Sequence, residues 1–162
     1  MKQLYIDLET TGLEVQKARI CQIGLIYKNK QKSVLINPSI HIPQEASNIH
    51  KIYDEMVLNS PTFTDISKPL YKLILDCDFV VGYNIRKYDW PILYIEFLRI
   101  GIELPHKPII DVYEMISDIE KSRRLKDVYL RLTGNKLEGI HDALNDIIAT
   151  KKVYEEILKK LS

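Results

Sequence analysis

The sequence predicts an α/β fold, a mixed sheet with helices on its faces. Three observations predict it. Strand-like runs with turn signals open the chain before any helical periodicity appears. Short apolar runs at 78–83 and 107–111 then alternate with helical patterns. Breakers such as Pro38, Pro43, Gly101, Gly134 and Gly139 fall between these segments.

The first strand is "QLYIDLE" (3–9). "RICQIGLIYK" (19–28) and "QKSVLIN" (31–37) follow, joined through Asn29-Lys30 as a hairpin. Pro38 and Pro43 break regular structure, and 44–60 reads as a short helix and loop. Thr64 or Asp65 caps a helix through Cys77, with Ile66, Leu70, Leu73 and Ile74 at helical spacing and Pro69 in its early turns. "DFVVGY" (78–83) is an apolar strand. "DWPILYIEFLRIG" (89–101) is a helix with Pro91 in its first turn and Gly101 as its stop. "KPIID" (107–111) is the fifth strand. Helical stretches follow near 112–121, 125–133 and 142–160. A hairpin run followed by βαβ units gives a mixed sheet.

The 162 residues suit one domain, 1–162, with a single sizeable core. No apolar run approaches the ~20 residues that cross a bilayer. The N-terminus lacks the pattern of a secretory leader. Cys21 and Cys77 form no CxxC pair and lie in apolar segments. These features predict a cytoplasmic protein with no membrane partner. The net charge of +1, from 23 basic and 22 acidic residues, is too balanced for a purely electrostatic nucleic-acid binder. An enzyme that holds cations with carboxylates can still look neutral, because the ions are missing from the count.

Asp7 and Glu9 end an apolar strand. Residues two apart on a strand share a face, so the two carboxylates project together. Unpaired, they would raise each other's pKa; a hard divalent cation would remove that cost. Thr10-Thr11-Gly12 is a turn signal directly after them. The threonines offer hydroxyls and N–H groups for a phosphate or sugar, and Gly12 admits close approach of another molecule. Asp89 begins a helix after a βα connection, where ligands of open α/β sheets gather; it also serves as a helix cap. In "GIHDALNDIIAT" (139–150), Ala143, Leu144, Ile147 and Ile148 form an apolar stripe. Asp146 borders that stripe in the second turn and needs a partner. Five helical steps turn through about 500°, so His141 would not align with Asp146 on a continuous helix; it belongs to an approach loop.

Asp7-x-Glu9, Asp89 and His141-x4-Asp146 resemble the DEDDh class of 3′–5′ exonucleases. These are DnaQ-like nucleases of the ribonuclease H-like fold, related to the proofreading epsilon subunit of bacterial DNA polymerase III. "DLETTGL" matches the first motif, "GYNIRKYD" the second and "HDALNDIIAT" the third. The resemblance covers nearly the whole chain. It implies five strands, three antiparallel and two parallel. It implies that Asp7, Glu9, Asp89 and Asp146 bind two Mg²⁺ or Mn²⁺ ions, Asp7 bridging both. His141 would be the general base that deprotonates the attacking water. Thr10, Thr11, Gly12 and Leu13 would contact the terminal nucleotide, with Asn84 and Tyr88 completing the substrate site. The implied reaction is hydrolysis of terminal phosphodiesters of DNA, releasing nucleoside 5′-monophosphates in proofreading or end trimming. The implied partner is a free 3′ end, single-stranded DNA, with a polymerase as a possible second partner. RNA hydrolysis by the same chemistry is the alternative, and a non-catalytic nucleic-acid or polymerase binding module is the rival of another class. Many relatives carry glycine where this chain has Lys51. Lys121, Arg123, Arg124 and Lys126 read as a solvated face, and Arg86 and Lys87 as better placed for backbone phosphates.

Overall fold

β1 (Gln3–Thr10), β2 (Ile20–Tyr27) and β3 (Lys30–Leu35) pair antiparallel in succession. The β2–β3 turn is Lys28-Asn29, one residue earlier than expected. Both have positive φ, 49° and 62°, a backbone whose twist matches the strands it joins. After β3 the chain forms α1 (Gln44–His50), α2 (Asp54–Val57) and α3 (Phe63–Asp76). β4 (Phe79–Gly82) then joins β1 in parallel. α4 (Asp89–Arg99) leads to β5 (Ile109–Asp111), which joins β4 in parallel. The sheet order is β3-β2-β1-β4-β5, and its five strands, three antiparallel and then two parallel, are those that the strand pattern and the resemblance predicted. α5 (Leu125–Thr133) and α6 (Ala143–Leu161) close the chain.

The computed structural model describes residues 1–116 and 121–162. The helix expected near 112–121 is, in its described part, a 3-10 turn over Val112–Met115; positions 117–120 lie outside the described residues. The start of α3 also differs from expectation. Thr62, not Thr64 or Asp65, precedes the helix, and its N–H donates to Asp65 Oδ2 at 2.8 Å. Asp65 is thus the acid that reaches back in a capping box. Pro69 lies inside the helix, which runs on to Asp76 because Phe63, Leu70 and Ile74 are buried beneath it.

Strand alternation sorts β1 between two layers. Leu4, Ile6 and Leu8 share one buried cluster with Leu70 and Ile74 of α3 and with Ile92, Leu93 and Phe97 of α4. Tyr5 faces the other way, into a cluster with Val128 of α5 and Ile147, Val153 and Tyr154 of α6. Asp7 and Glu9 continue the Tyr5 face. The central strand therefore presents its two acids on the layer that α6 covers.

Candidate active site

Asp7 and Glu9 stand where the sheet loosens. β4 pairs with β1 only along Gln3–Tyr5, so the far half of β1 lacks that neighbour. Across the other edge, Asp7 faces Gly24 and Glu9 faces Gln22. The register then shifts between Glu9 and Thr10, leaving Cys21 as an additional residue on β2. Such a bulge twists a strand end and re-aims its side chains.

α6 is delivered to this point by three contacts. A Cβ at Gly24 would stand 2.3 Å from the Ala143 carbonyl carbon, so only glycine lets the helix start settle on β2. Gln22 Oε1 accepts the Ala143 N–H at 2.9 Å, and its Nε2 donates to Asp142 Oδ2 at 3.0 Å. Asp142 Oδ1 in turn accepts the Asn145 N–H at 3.0 Å, an N-cap. Asp146 falls in the first helical turn, not the second. The His141 N–H lies 3.2 and 3.1 Å from its two oxygens. His141 has φ 65°, so the chain bends left-handed there before the helix. This bend replaces the helical offset that would have kept the ring from Asp146. Ligand atoms of Glu9, His141 and Asp146 lie within 4.8 Å of one another.

Asp89 arrives from the opposite layer. It opens α4 but does not act as its N-cap, which is Tyr88. Its carboxyl lies beside Asp7 and the Leu8 backbone. Asp111, at the end of β5, fixes this connection. Its carboxylate accepts N–H groups from Asn84 (2.8 Å), Arg86 (3.1 Å) and Tyr113 (3.1 Å).

Burial raises Asp7 well above the ordinary carboxylate range, and Asp89, Glu9 and Asp146 push it the same way. Burial likewise raises Asp89. Glu9 is pushed up to about 9 by burial, then by Asp146 and Asp89. Asp146 is pushed up to about 7 by burial, against the pull of the His141 N–H. Burial lowers His141, with the Lys126 charge adding to it. Asp89 Oδ2 is buried and has no hydrogen-bond partner among the described residues. Four carboxylates gathered at one place, one of them with a buried, unpartnered oxygen, are a donor set for hard divalent cations. The residues present fit Mg²⁺ or Mn²⁺.

Beside Glu9 a cavity of about 350 Å³ is lined by Thr10, Thr11, Gly12 and Leu13, with Ile49 and His50 opposite. Thr10 and Thr11 shape this loop more than they face it. The Thr10 hydroxyl donates to the Gly12 carbonyl at 2.7 Å. The Thr11 N–H donates to Arg19 O at 2.9 Å, and its hydroxyl accepts the Arg19 N–H at 3.0 Å. Those groups are spent within the loop rather than left for a phosphate. At Gly12 a Cβ would meet nothing within 4 Å, so the fold leaves open space there. Leu13 is 70% exposed and Ile49 55% exposed, two apolar side chains at one mouth. His50, buried, accepts the Ile52 N–H at Nδ1 (3.1 Å); Nε2 therefore carries the proton and donates to Thr10 O at 3.1 Å.

Tyr88 is half-buried beside Asp89, its ring 5.2 Å from Lys87 Nζ. Asn84 has φ 55° and lines a separate cavity with Tyr83 and Tyr113. Arg86 differs from expectation: its guanidinium is taken by Glu114 and the Ile109 carbonyl. Arg124 and Lys126 are both exposed, as a solvated face requires, but they also line a cavity of about 410 Å³ together with His141 and Asp146, which the sequence reading did not foresee. Gln22, His50 and Asp111 were missed as functional residues. Only Asp111 carried a signal, an acid ending a short apolar strand.

An exonuclease family model, RNase_T, matches residues 4–154. The chain belongs to this exonuclease family. Within the family it is DnaQ-like, with a ribonuclease H-like fold, and metal binding is typical of such nucleases. It is 29% identical to the "3′-5′ exonuclease DinG" of Staphylococcus epidermidis over 115 residues, 68% of this chain and 12% of that protein. It is 38% identical to an uncharacterized exonuclease, CP81, of Escherichia phage 186 over 106 residues, 62% of this chain and 52% of that protein. The chain thus spans at most about half the length of these relatives. E. coli Exonuclease I, solved with single-stranded DNA and zinc, superposes with a TM-score of 0.86 at 16% identity over 99% of this chain and 41% of that one. This last likeness shows the shared fold of the exonuclease domain.

Proposed function

We propose that this exonuclease domain hydrolyses the terminal phosphodiester at the 3′ end of DNA and releases nucleoside 5′-monophosphates, as in proofreading or end trimming. One observation carries the reading. Asp7, Glu9, Asp89 and Asp146 come from three separate stretches of chain, and the fold gathers them: Glu9 and Asp146 offer ligand atoms within 4.8 Å of one another and of His141, and Asp7 is buried close enough to Asp89, Glu9 and Asp146 to be pushed upward by each. The name of the staphylococcal relatives supports the 3′–5′ direction.

Asp7, Glu9, Asp89 and Asp146 would hold two Mg²⁺ or Mn²⁺ ions, which would neutralise the phosphate, acidify a water and stabilise the leaving oxygen. The chain's own residues do the rest. His141 has a lowered proton affinity, so it stands neutral near pH 7 and can accept the water's proton. The bond from its N–H to Asp146 holds the residue in place. The cavity beside Glu9 receives the terminal nucleotide, with Leu13 and Ile49 as apolar partners for its base and the open space at Gly12 admitting its backbone.

The test uses 5′-labelled single-stranded DNA and RNA of equal length with Mg²⁺ or Mn²⁺, then with EDTA. The expected result is stepwise shortening of DNA from its 3′ end, stopped by EDTA and by Asp146→Ala. Shortening of RNA alone would transfer the reading to an exoribonuclease. No shortening of either would leave a binding module.

A further inference from the structure

α4 does more than deliver Asp89. From Asp89 to Glu96 the helix turns through about 700°, close to two full circles, so the two acids stand on one face. Glu96 is 1% exposed, the most deeply buried acid among the described residues. Two guanidiniums hold it. Arg19 Nε donates to Glu96 Oε1 at 2.7 Å, and Arg99 Nη1 donates to the same oxygen. Glu96 Oε2 is buried and has no hydrogen-bond partner among the described residues.

Arg99 reaches beyond Glu96 to the loop between β1 and β2. Its Nη2 donates to Gln16 O at 2.9 Å and its Nη1 to Ala18 O at 3.3 Å. Arg19 closes the base of the same loop, because its backbone is paired with Thr11 through two hydrogen bonds. Within the loop the Lys17 and Ala18 N–H groups turn back onto Glu14 O at 3.0 and 2.8 Å. A continuous set of bonds therefore runs from Glu96, through Arg19 and Arg99, to the loop that presents Gly12 and Leu13 to the cavity beside Glu9.

Stability alone does not account for this arrangement. A buried ion pair gains little over its own desolvation, and an apolar contact of similar volume would join α4 to the loop at least as firmly. An acid that leaves one oxygen unpartnered gains less still. What the ions add is direction, since a carboxylate shared by two guanidiniums sets the distance and angle of both. A loop held in this way keeps one shape before any ligand arrives, and a preformed site spares the ligand the cost of ordering it.

We propose that Glu96 is a positioning residue for the terminal nucleotide: through Arg19 and Arg99 it locks the loop bearing Gly12 and Leu13 to the helix that begins with Asp89. The proposal rests on the exonuclease reading for what fills the cavity. Arg19, Glu96 and Arg99 are not among the residues that line that cavity, so they act on the nucleotide through the loop. The lock serves binding, while the chemistry stays with the acids and His141.

The test compares the wild type with Glu96→Ala, Glu96→Gln and Arg99→Met in steady-state hydrolysis of a 5′-labelled oligothymidylate with Mn²⁺. Glu96→Ala leaves two guanidiniums facing each other, so its melting temperature is measured first. Arg99→Met, at a partly exposed side chain, keeps the apolar stem and carries the test where Glu96→Ala does not fold. An unlocked loop must be ordered when the nucleotide binds, so KM should rise about tenfold in Glu96→Ala and Arg99→Met. The maximal rate and the Mn²⁺ concentration for half that rate should change by less than about twofold. Glu96→Gln keeps an acceptor oxygen for both guanidiniums and should fall between. A lower melting temperature with KM unchanged would make the triad merely structural and overturn the proposal. Equal falls in kcat and kcat/KM with a raised Mn²⁺ requirement would also overturn it, by placing the effect at Asp89. Amide exchange of the free proteins, followed by NMR, separates the lock from the exonuclease reading. Lys17 and Ala18 should exchange faster in Arg99→Met, with the amides of α4 unchanged. If the wild type hydrolyses no DNA, the exonuclease reading fails and these exchange rates still decide the lock; equal exchange in wild type and variant removes the lock even where turnover is intact.

Discussion

Gly24 on β2 lies directly beneath Ala143, the first residue of α6, and a Cβ there would press within 2.4 Å of the Ala143 carbonyl oxygen. Asp7 is the residue opposite Gly24, and Asp146 is three residues beyond Ala143. One close backbone contact thus fixes the distance between two acids far apart in sequence. Gly24→Ala must push the helix start outward, because both sides of the clash are backbone. The expected cost is about 1–3 kcal/mol of stability. A shift of about 1 Å at Asp146 and His141 should cost about a hundredfold in rate. Urea unfolding and turnover of a labelled oligonucleotide measure the two effects separately.

Asp111 performs the matching task for Asp89. Three N–H groups converge on its buried carboxylate, two of them from the β4–α4 connection. Asp111→Ala would leave those donors unsatisfied, at about 1–3 kcal/mol each when buried. The variant should unfold at clearly lower urea and lose activity through Asp89, while Asp111→Asn keeps an acceptor oxygen and should retain more of both. Equal behaviour of the two variants would remove this role.

The ease of reading the fold and the difficulty of reading these supports have one cause. Asp7, Glu9, Asp89, His141 and Asp146 stand at spacings that strand alternation, a helix start and three motifs make visible. The capping acid of α3 was misplaced by local ambiguity, since Thr62, Thr64 and Asp65 all carry capping side chains. Gln22 shows a different limit. Its bonds reach residues 142 and 143, about 120 positions away, and no local period records such a pairing. Arg86 and Arg124 show the same limit: proximity in sequence to Asp89 said nothing of Glu114, and distance from it hid the shared cavity with Asp146.

Lys51 ends α1 with φ 61° and ψ 22°, and its N–H donates to Ser47 O at 2.8 Å. This is the left-handed position that closes many helices, and glycine takes it without Cβ strain. A glycine at this position would be free of that strain. Lys51→Gly should raise stability by about 0.5–1 kcal/mol. Lys51→Val should lower it, since a β-branched side chain tolerates this backbone least. Thermal unfolding of the pair gives the order, and the reverse order would refute the account.

Acid stability should depend on Asp76 at the opposite end of the sheet. The Tyr27 hydroxyl and Lys2 Nζ, the latter at 2.9 Å, hold its carboxyl well below the ordinary range, with Lys28 Nζ at 3.3 Å. A carboxylate whose folded value is depressed stabilises the fold above its unfolded value. That contribution fades as pH falls below about 4 and is gone once Asp76 itself is protonated. Urea midpoints of the wild type and Asp76→Asn should therefore differ at pH 7 and converge in strong acid. A constant difference across that range would mean that the side chain acts by packing alone.

The carboxylate cluster makes the sharpest prediction, because stability and activity should move in opposite directions. Without cations, Asp7 is buried among Asp89, Glu9 and Asp146, and every one of those charges opposes its ionisation. Asp7→Asn keeps the shape and removes the cost of folding a carboxyl whose ionised form is disfavoured there, whether it is buried charged or must take up a proton. In EDTA at pH 8 the variant should melt above the wild type, as expected where a site is arranged for function at the expense of the fold. Adding Mn²⁺ should reverse the order. A ligand at about a hundred times its dissociation constant adds about 2.7 kcal/mol to the form that binds it. The wild type should gain that increment, while the variant, lacking the proposed bridging carboxylate, should gain little and lose nearly all turnover. Calorimetric scans of both proteins, with EDTA and with Mn²⁺, decide the matter. A variant that melts below the wild type in EDTA and responds equally to Mn²⁺ would mean that Asp7 is an ordinary buried polar residue and that the cations, if bound, sit elsewhere.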